Sequence, residues 1–160
     1  MKLEMDVKAV VFNAGKEEYA IPIPFVISIE KVENVNHIPH LPSYMRGIIK
    51  SRGTLIPVLD LGNILYHSHI AINDEVRMIV IHTDELAFGL LVKEAQEILE
   101  IPSDALKQIG LVAYHKTKYF SSVANLEDRL ITMIDPNSML EVLEGVKEIK
   151  DYLIKQQQEA

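Results

Sequence analysis

The chain has 160 residues, enough to bury a substantial core, and no linker divides it, so we expect a single domain over residues 1–160. Its formal charge is −7 and its basic residues are scattered, which argues against a nucleic-acid-binding surface and against electrostatic docking to an anionic membrane. Because cysteine is absent, disulfides, thiolate catalysis and cysteine-ligated zinc are excluded.

The N-terminal residues and the hydropathy pattern predict the compartment. The segment MKLEMDVKAVVF lacks the long apolar core and small-residue cleavage site of a signal peptide. No run approaches the roughly 20 apolar residues that a membrane-spanning helix needs. We therefore expect a cytoplasmic protein.

Short apolar-rich runs separated by turn residues fill most of the chain and predict about ten strands. In chain order they cover residues 8–14, 18–23, 26–32, 45–51, 54–60, 75–82, 86–93, 97–101, 119–125 and 129–135. The connections between them are short, a pattern typical of barrels and sandwiches. We find no strict internal repeat in the sequence.

The strand at residues 26–32 has one mixed face. Because strand side chains alternate, Ile27, Ile29 and Lys31 share one side. The other side carries Val26, Ser28, Glu30 and Val32. A face that is half apolar and half polar is either a binding surface or the ordinary outer face of a sheet.

The segment RGIIKSRGTLIPVLDL, residues 46–61, predicts the most deeply buried hairpin of the chain. Neither of its apolar runs alternates with polar residues, so both strands are expected to be buried on two faces. Arg52 lies at the tip between them. It is either a solvated turn residue of little energetic weight or a group presented for binding.

Helix signals are few and concentrate at the C-terminus. Short helical turns are predicted at residues 61–65 and 102–106, and a longer helix at residues 136–155. Asp135 or Asn137 can cap the longer helix, and Gly145 weakens it by about 1 kcal/mol relative to alanine. Its apolar stripe has three- and four-residue spacing and consists of Met139, Leu143, Val146, Ile149 and Leu153.

Four of the six histidines lie in two closely spaced pairs that are candidate metal ligands. His37 and His40 lie three residues apart, and His67 and His69 lie two apart. Each pair supplies two ligands, whereas a catalytic zinc site takes three protein ligands and a structural site four. Solvated loop histidines are the simpler interpretation, and we expect no metal and no cofactor.

Catalytic motifs are absent from the sequence. It contains no G-x-S-x-G, no Walker A motif and no G-x-G-x-x-G. Asp60 ends an apolar strand, where a general acid or base is possible, but capping of residues 61–63 is the better interpretation. We therefore expect a protein that is not an enzyme.

Four segments, in their order along the chain, resemble CheW-type chemotaxis coupling proteins. They are GKEEYAIPI at 15–23, VISIEKV at 26–32, LPSYMRGIIKSRGTLIPVLDL at 41–61 and FGLLVKEAQEILEI at 88–101. The most specific pattern is G-x-x-x-x-R-G-x-x-x-P-x-x-D-L, which comprises Gly47, Arg52, Gly53, Pro57, Asp60 and Leu61. The resemblance covers roughly residues 8–143.

The resemblance implies a mainly β fold of two packed five-stranded, SH3-like barrels with a C-terminal helix. It also implies a non-enzymatic adaptor that joins the cytoplasmic tips of methyl-accepting chemoreceptors to the histidine kinase CheA, at receptor arrays on the inner face of the membrane. Such proteins mimic the regulatory domain of CheA and bind it through barrel-to-barrel contacts. The alternative is a barrel domain that binds a small ligand or a metal.

The resemblance further implies which residues meet each partner. Val26, Gly47 and Arg52 correspond to the surface that binds the receptor tip. Ser28, Ile29 and Glu30 correspond to the surface that binds the kinase. Gly47 is expected to permit close approach of the receptor, so that Gly47→Asp weakens binding while leaving the fold largely intact.

One departure from the family pattern concerns the strand at 26–32. Many members have a glutamate at the position of Ser28, whereas here the acid is Glu30, two residues on and on the same strand face. A second departure is Lys50-Ser51 before Arg52-Gly53, where many members have Asn-Leu. We predict that Glu30 and Arg52 share one surface and interact, directly or through water.

Overall fold

Eleven strands and three helices make up the described part of the chain, which is residues 6–32, 35–107 and 119–159 of the computed structural model. The strands are β1 (Val7–Asn13), β2 (Glu18–Pro22), β3 (Val26–Lys31), β4 (Met45–Ser51), β5 (Thr54–Asp60), β6 (Arg77–His82), β7 (Ala87–Val92), β8 (Glu94–Ile101), β9 (Leu106–Lys107), β10 (Phe120–Leu126) and β11 (Arg129–Ile134). The helices are α1 (Leu61–Tyr66), α2 (Pro136–Val142) and α3 (Val146–Glu159), with 3₁₀ turns at Ile23–Phe25 and Ser103–Ala105. No helix in these ranges is long and apolar enough to cross a membrane.

The strands form two sheets, and each sheet curls back on itself into a barrel. Barrel A has the strand order β8-β1-β2-β11-β10-β9, and its edge strands β8 and β9 are consecutive in the chain. Barrel B has the order β3-β6-β7-β5-β4, and it closes where Asn36, beyond β3, pairs with Ile48 of β4. The predicted mainly β fold of two packed barrels is confirmed, with the two-residue β9 as a sixth strand of barrel A.

The barrels exchange strands, because the chain passes through the same arrangement twice. The first pass, from β1 to α1, places β1 and β2 in barrel A and β3 to β5 in barrel B. The second pass, from β6 to α2, places β6 and β7 in barrel B and β8 to β11 in barrel A. Ile29 of β3 pairs with Ile79 of β6 as Ile98 of β8 pairs with Val10 of β1. The repeat is one of topology and is not visible in the sequence.

The last hairpin of each barrel ends in an aspartate that caps a helix. The backbone N–H of each aspartate donates to a carbonyl oxygen that lies just before the hairpin which that aspartate ends. The distance is 2.7 Å for Asp60 and 2.8 Å for Asp135. The preceding strands make equivalent parallel pairings, β5 with β7 and β11 with β2. Leu55 and Leu130, each five residues before its aspartate, are therefore equivalent positions in the two barrels.

Strands between the barrels bury both of their faces. In β1, Val10 and Phe12 belong to the central core between the barrels, whereas Ala9 and Val11 fill barrel A. In β5, every residue from Ile56 onward is buried. This burial on two sides explains the unbroken apolar run of β5. The prediction that the hairpin at residues 46–61 is the most deeply buried is wrong, because β4 contains half-buried and exposed residues, whereas β6 and β7 are buried along most of their length.

The helix predicted over residues 136–155 is two helices. Asp135 caps α2, because its carboxylate accepts from the backbone N–H groups of Asn137 and Ser138. The helix then ends before Leu143, and Gly145 has a φ of +84°, a left-handed conformation that an α-helix does not contain. The weak point expected at Gly145 is therefore a complete break between α2 and α3.

Leu143→Ala is expected to lower the free energy of unfolding by about 1 kcal/mol, well below the cost for a fully buried leucine. The reason is that Leu143 lies in the link between α2 and α3 and is only half-buried. Ile149→Ala is the comparison, since Ile149 is 3% exposed and should cost about 2–5 kcal/mol. Urea unfolding curves of both variants test this, and equal losses would contradict the assignment of Leu143 to a peripheral link.

Candidate functional site

The β4–β5 turn places Arg52 at the tip of the buried hairpin. Arg52 has a φ of +52° and Gly53 a φ of +82°, as in the two-residue type I′ turn that fits the twist of a hairpin. Asparagine is preferred over arginine at the first of these positions, because it tolerates the left-handed conformation better. The turn geometry therefore does not select arginine, and the exposed guanidinium is free of ion pairs with the described residues.

Strand β3 presents isoleucines to solvent at the opposite edge of barrel B. Ile27 is 40% exposed and Ile29 is 39% exposed, while Ser28 and Glu30 on the other face are half-buried. The predicted alternation of the two faces is confirmed, but the mixed face considered as the outer face or binding surface is the half-buried one, and the isoleucine face is the exposed one. The Ser28 hydroxyl donates to Oε2 of Glu30 at 2.6 Å. The Ser28 side chain thus fixes the carboxylate of Glu30, which lies two residues further along the strand.

Glu30 does not pair directly with Arg52. Among the described residues, the side-chain partner of Glu30 is Ser28, and no ion pair joins Glu30 to Arg52. Glu30 instead lines a cleft of about 330 Å³ together with Lys50 and Ile49. The closure of barrel B brings β4 alongside the chain beyond β3, so that Lys50, rather than Arg52, lines the cleft that contains Glu30.

Gly47 lies inside the closure of barrel B. Its backbone has a φ of +151°, and a Cβ atom there would collide with the carbonyl oxygen of Asn36. The adjacent Ile48 exchanges two backbone hydrogen bonds with Asn36, each 3.0 Å long. The close approach that we expected between Gly47 and the receptor is thus made between Gly47 and Asn36 of the same chain. Of the three candidate receptor-binding residues, Arg52 is exposed, Val26 is half-buried at the start of β3 and Gly47 is buried.

An ion pair at the base of the hairpin was missed by the sequence analysis. Asp60 is 0% exposed, and its Oδ2 accepts from Nη1 of Arg46 at 2.7 Å and from the backbone N–H of Ile70 at 3.0 Å. Its Oδ1 accepts from the N–H of Asn63 at 3.1 Å, which confirms the predicted cap. Counting back along the hairpin register, which pairs Lys50 with Leu55, would have placed Arg46 near Asp60. These bonds hold the hairpin that carries Arg52.

The histidines do not assemble into a site. Nε2 of His69 is 2.9 Å from the carbonyl oxygen of Ser43, and His40 and His67 have positive φ values in exposed loops. Across residues 6–32, 35–107 and 119–159, no group of three or more potential ligands is placed to hold a metal. The geometry gives the metal-binding alternative no support.

Comparison with known proteins identifies the family. The family model of the CheW-like domain matches residues 8–144. The chemotaxis protein CheW of Bacillus subtilis is 30% identical over 135 residues, which is 84% of this chain and 86% of that protein. The chemotaxis protein CheA of Listeria innocua is 26% identical over 128 residues, which is 80% of this chain but 20% of that protein.

A solved structure agrees with these matches. The scaffolding protein TtCheW from Thermoanaerobacter tengcongensis superposes with a TM-score of 0.77 at 26% identity, covering 89% of this chain and 92% of that one. Because the superposition covers 89% of this chain, the similarity extends over both barrels. The chain therefore belongs to the family of CheW-like domains, as its sequence resemblance indicated.

Proposed function

We propose that this protein is an adaptor that couples the cytoplasmic tips of methyl-accepting chemoreceptors to the histidine kinase CheA. The observation that carries the proposal is the double match, to CheW proteins over most of both chains and to one fifth of CheA. A chain that shares a domain with the kinase and belongs to a scaffold family fits a role between receptor and kinase. We therefore propose that it acts in the cytoplasm, at receptor arrays beneath the membrane.

We infer that the adaptor has no catalytic activity. Asp60, the carboxylate with the most active-site-like position in the sequence, is held by Arg46 and two backbone N–H groups and caps α1. Such a carboxylate is fully buried and is not presented to a substrate. Its geometry supports a structural role, in agreement with the scaffold described for TtCheW.

Exposed apolar residues on β3 suit the kinase contact. Ile29, with Ile27 beside it, offers apolar surface at a barrel edge, and the Ser28–Glu30 hydrogen bond gives this edge a fixed polar rim. An apolar centre with a polar rim is the usual anatomy of a protein–protein interface. We assign Ser28, Ile29 and Glu30 to the kinase surface on this basis.

Arg52 suits the receptor contact. It is an exposed cation held at a defined position by a tight turn, and a guanidinium can hold a carboxylate with two parallel hydrogen bonds. Val26 contributes as a half-buried residue on the opposite edge strand, whereas Gly47 contributes indirectly by shaping β4. The receptor assignment therefore depends chiefly on Arg52.

Arg52→Asn tests the receptor assignment. Asparagine suits the type I′ turn, so the urea midpoint should stay the same or rise slightly, while receptor binding weakens by about tenfold or more. Binding of a receptor-tip fragment and of CheA would be measured separately by titration calorimetry. The control is Lys16→Asn, which removes the same charge from the exposed β1–β2 turn of barrel A. Equal receptor affinity for Arg52→Asn and the wild type would refute the assignment.

A further inference from the structure

Helix α3 lies outside the part of the chain that matches the family, which ends at residue 144. Just before it, the Tyr44 hydroxyl donates to the carbonyl of Glu144. Burial raises the pKa of Tyr44 to about 12, so this donor keeps its proton at neutral pH. Gly145, with its positive φ, then separates this anchored point from Val146, the first residue of α3. The helix is thus a separate element attached to the family domain at a fixed pivot.

One face of α3 packs on barrel B. Ile149 and Leu153 are buried in the central core, while most of the other side of the helix is exposed. Beyond these two residues, Nζ of Lys150 forms an ion pair with Oε2 of Glu85 at 3.0 Å, and both side chains are more than one third exposed. Exposed ion pairs of this kind add little to stability. Two buried side chains, the partly buried Val146 and Tyr152, and one exposed ion pair therefore attach the helix to the barrels.

The far part of α3 lies over the strand that leaves the Arg52 turn. A groove of about 300 Å³ runs between helix and barrel, and its lining includes Thr54, Leu55, Leu86, Leu153 and Ile154. Thr54 and Leu55 follow Gly53 directly in the chain. The helix therefore borders the candidate receptor surface.

The equivalent face of barrel A is open. Leu130, the counterpart of Leu55, is 61% exposed, and none of the described helices packs on it. Leu55 is half-buried at the same place on barrel B, where it lines the groove beneath α3. Barrel A keeps its fold without a helix on this face, so a helix is not a requirement of the barrel. This comparison within one chain indicates that α3 has another purpose.

We propose that α3 is a removable cover, which occupies the β5 face beside Arg52 in the free chain and is displaced when the receptor tip binds there. The inference rests on the function proposed above. Because the bound state requires α3 to open, the observed receptor affinity is the affinity of the open form multiplied by the fraction of molecules in which α3 is open. Loosening α3 should therefore tighten receptor binding without any change in the receptor contacts.

Lys150→Glu in the full-length chain tests the cover, because it places a glutamate against Glu85. The amides of α3 should exchange with deuterium about fivefold faster than in the wild type, and the receptor-tip fragment should bind tighter by a similar factor. In both proteins the amides of β6 and β7 should stay protected much more strongly than those of α3. The control is Lys147→Glu, the same charge change on the same helix at an exposed residue that has no ion pair among the described residues. Lys147→Glu should change neither the exchange rate of the α3 amides nor the affinity for the receptor-tip fragment.

Two outcomes would overturn the cover. One is that the α3 amides of the wild type exchange as slowly as the amides of β6 and β7, which would mean that the helix opens only when the whole protein unfolds. The other is that receptor binding leaves α3 protection unchanged or raises it. If the receptor fragment binds neither the wild type nor any variant, the proposed function has failed, and the inference fails with it. Faster α3 exchange in free Lys150→Glu would then show that the helix opens as expected and that the receptor assignment is the part that failed.

Discussion

Asp60→Ala is expected to lower the free energy of unfolding by about 3–5 kcal/mol, because it removes the fully buried carboxylate that pairs with Arg46. The substitution leaves Nη1 of Arg46 without its carboxylate and leaves the N–H groups of Ile70 and Asn63 without acceptors. Each buried donor that loses its partner costs free energy beyond the loss of the bond itself. The hairpin that carries Arg52 should lose its fixed base. Urea unfolding followed by circular dichroism measures the loss.

The internal repeat supplies a matched control. Asp135 is the equivalent aspartate and caps α2 through the same kind of bonds, but no arginine pairs with it among the described residues. Asp135→Ala should therefore cost about 1 kcal/mol, the usual loss for a helix cap. Equal losses for Asp60→Ala and Asp135→Ala would show that the pair with Arg46 contributes nothing.

Gly47→Ala is expected to destabilise the protein by about 3 kcal/mol, and Gly47→Asp by more. Any side chain at this position meets the Asn36 carbonyl, so either β4 or the chain beyond β3 must move and barrel B cannot close as it does. This corrects the expectation from the sequence that Gly47→Asp would leave the fold largely intact. Loss of receptor binding in such a variant would follow from loss of structure.

Gly53→Ala separates crowding from backbone conformation. Gly53 also has a positive φ, but a Cβ atom there has no neighbour within 4 Å. Its substitution should cost only the left-handed conformation, about 1 kcal/mol. Thermal melts of the alanine variants give the comparison, and a Gly47→Ala variant as stable as Gly53→Ala would contradict the proposed role of Gly47 in barrel closure.

The strands were predictable because their signals are local. Runs of apolar residues between turn residues located β1 to β8, and the position of Asp60 after an apolar run predicted its cap on α1. The strand exchange was not predictable, because it depends on pairings such as Ile29 with Ile79 that lie far apart in the chain. The break before α3 was underestimated for a similar reason. Gly145 was interpreted as a weak position in one helix, and only its left-handed backbone, at a site where a Cβ atom would crowd Pro42, shows the turn.

The candidate site was predictable in part. The turn sequence and the family pattern drew attention to Arg52, and alternation assigned Ser28 and Glu30 to one face of β3 correctly. The sequence did not reveal that Gly47 is buried or that Lys50, rather than Arg52, lines the cleft that contains Glu30. Both depend on how barrel B closes through the bridge between Asn36 and Ile48, a contact between a loop and a strand. Pairing of this kind leaves no periodic signal in the sequence.

We propose that this one chain joins receptor and kinase through separate surfaces. The most direct measurement is co-sedimentation of purified CheA with membranes that contain a chemoreceptor, with and without this protein. CheA should sediment only when the wild-type protein is present. With Arg52→Asn, the account predicts that CheA still binds the variant in solution but stays in the supernatant with it. CheA that sediments equally well without the protein, or with Arg52→Asn in its place, would contradict the account.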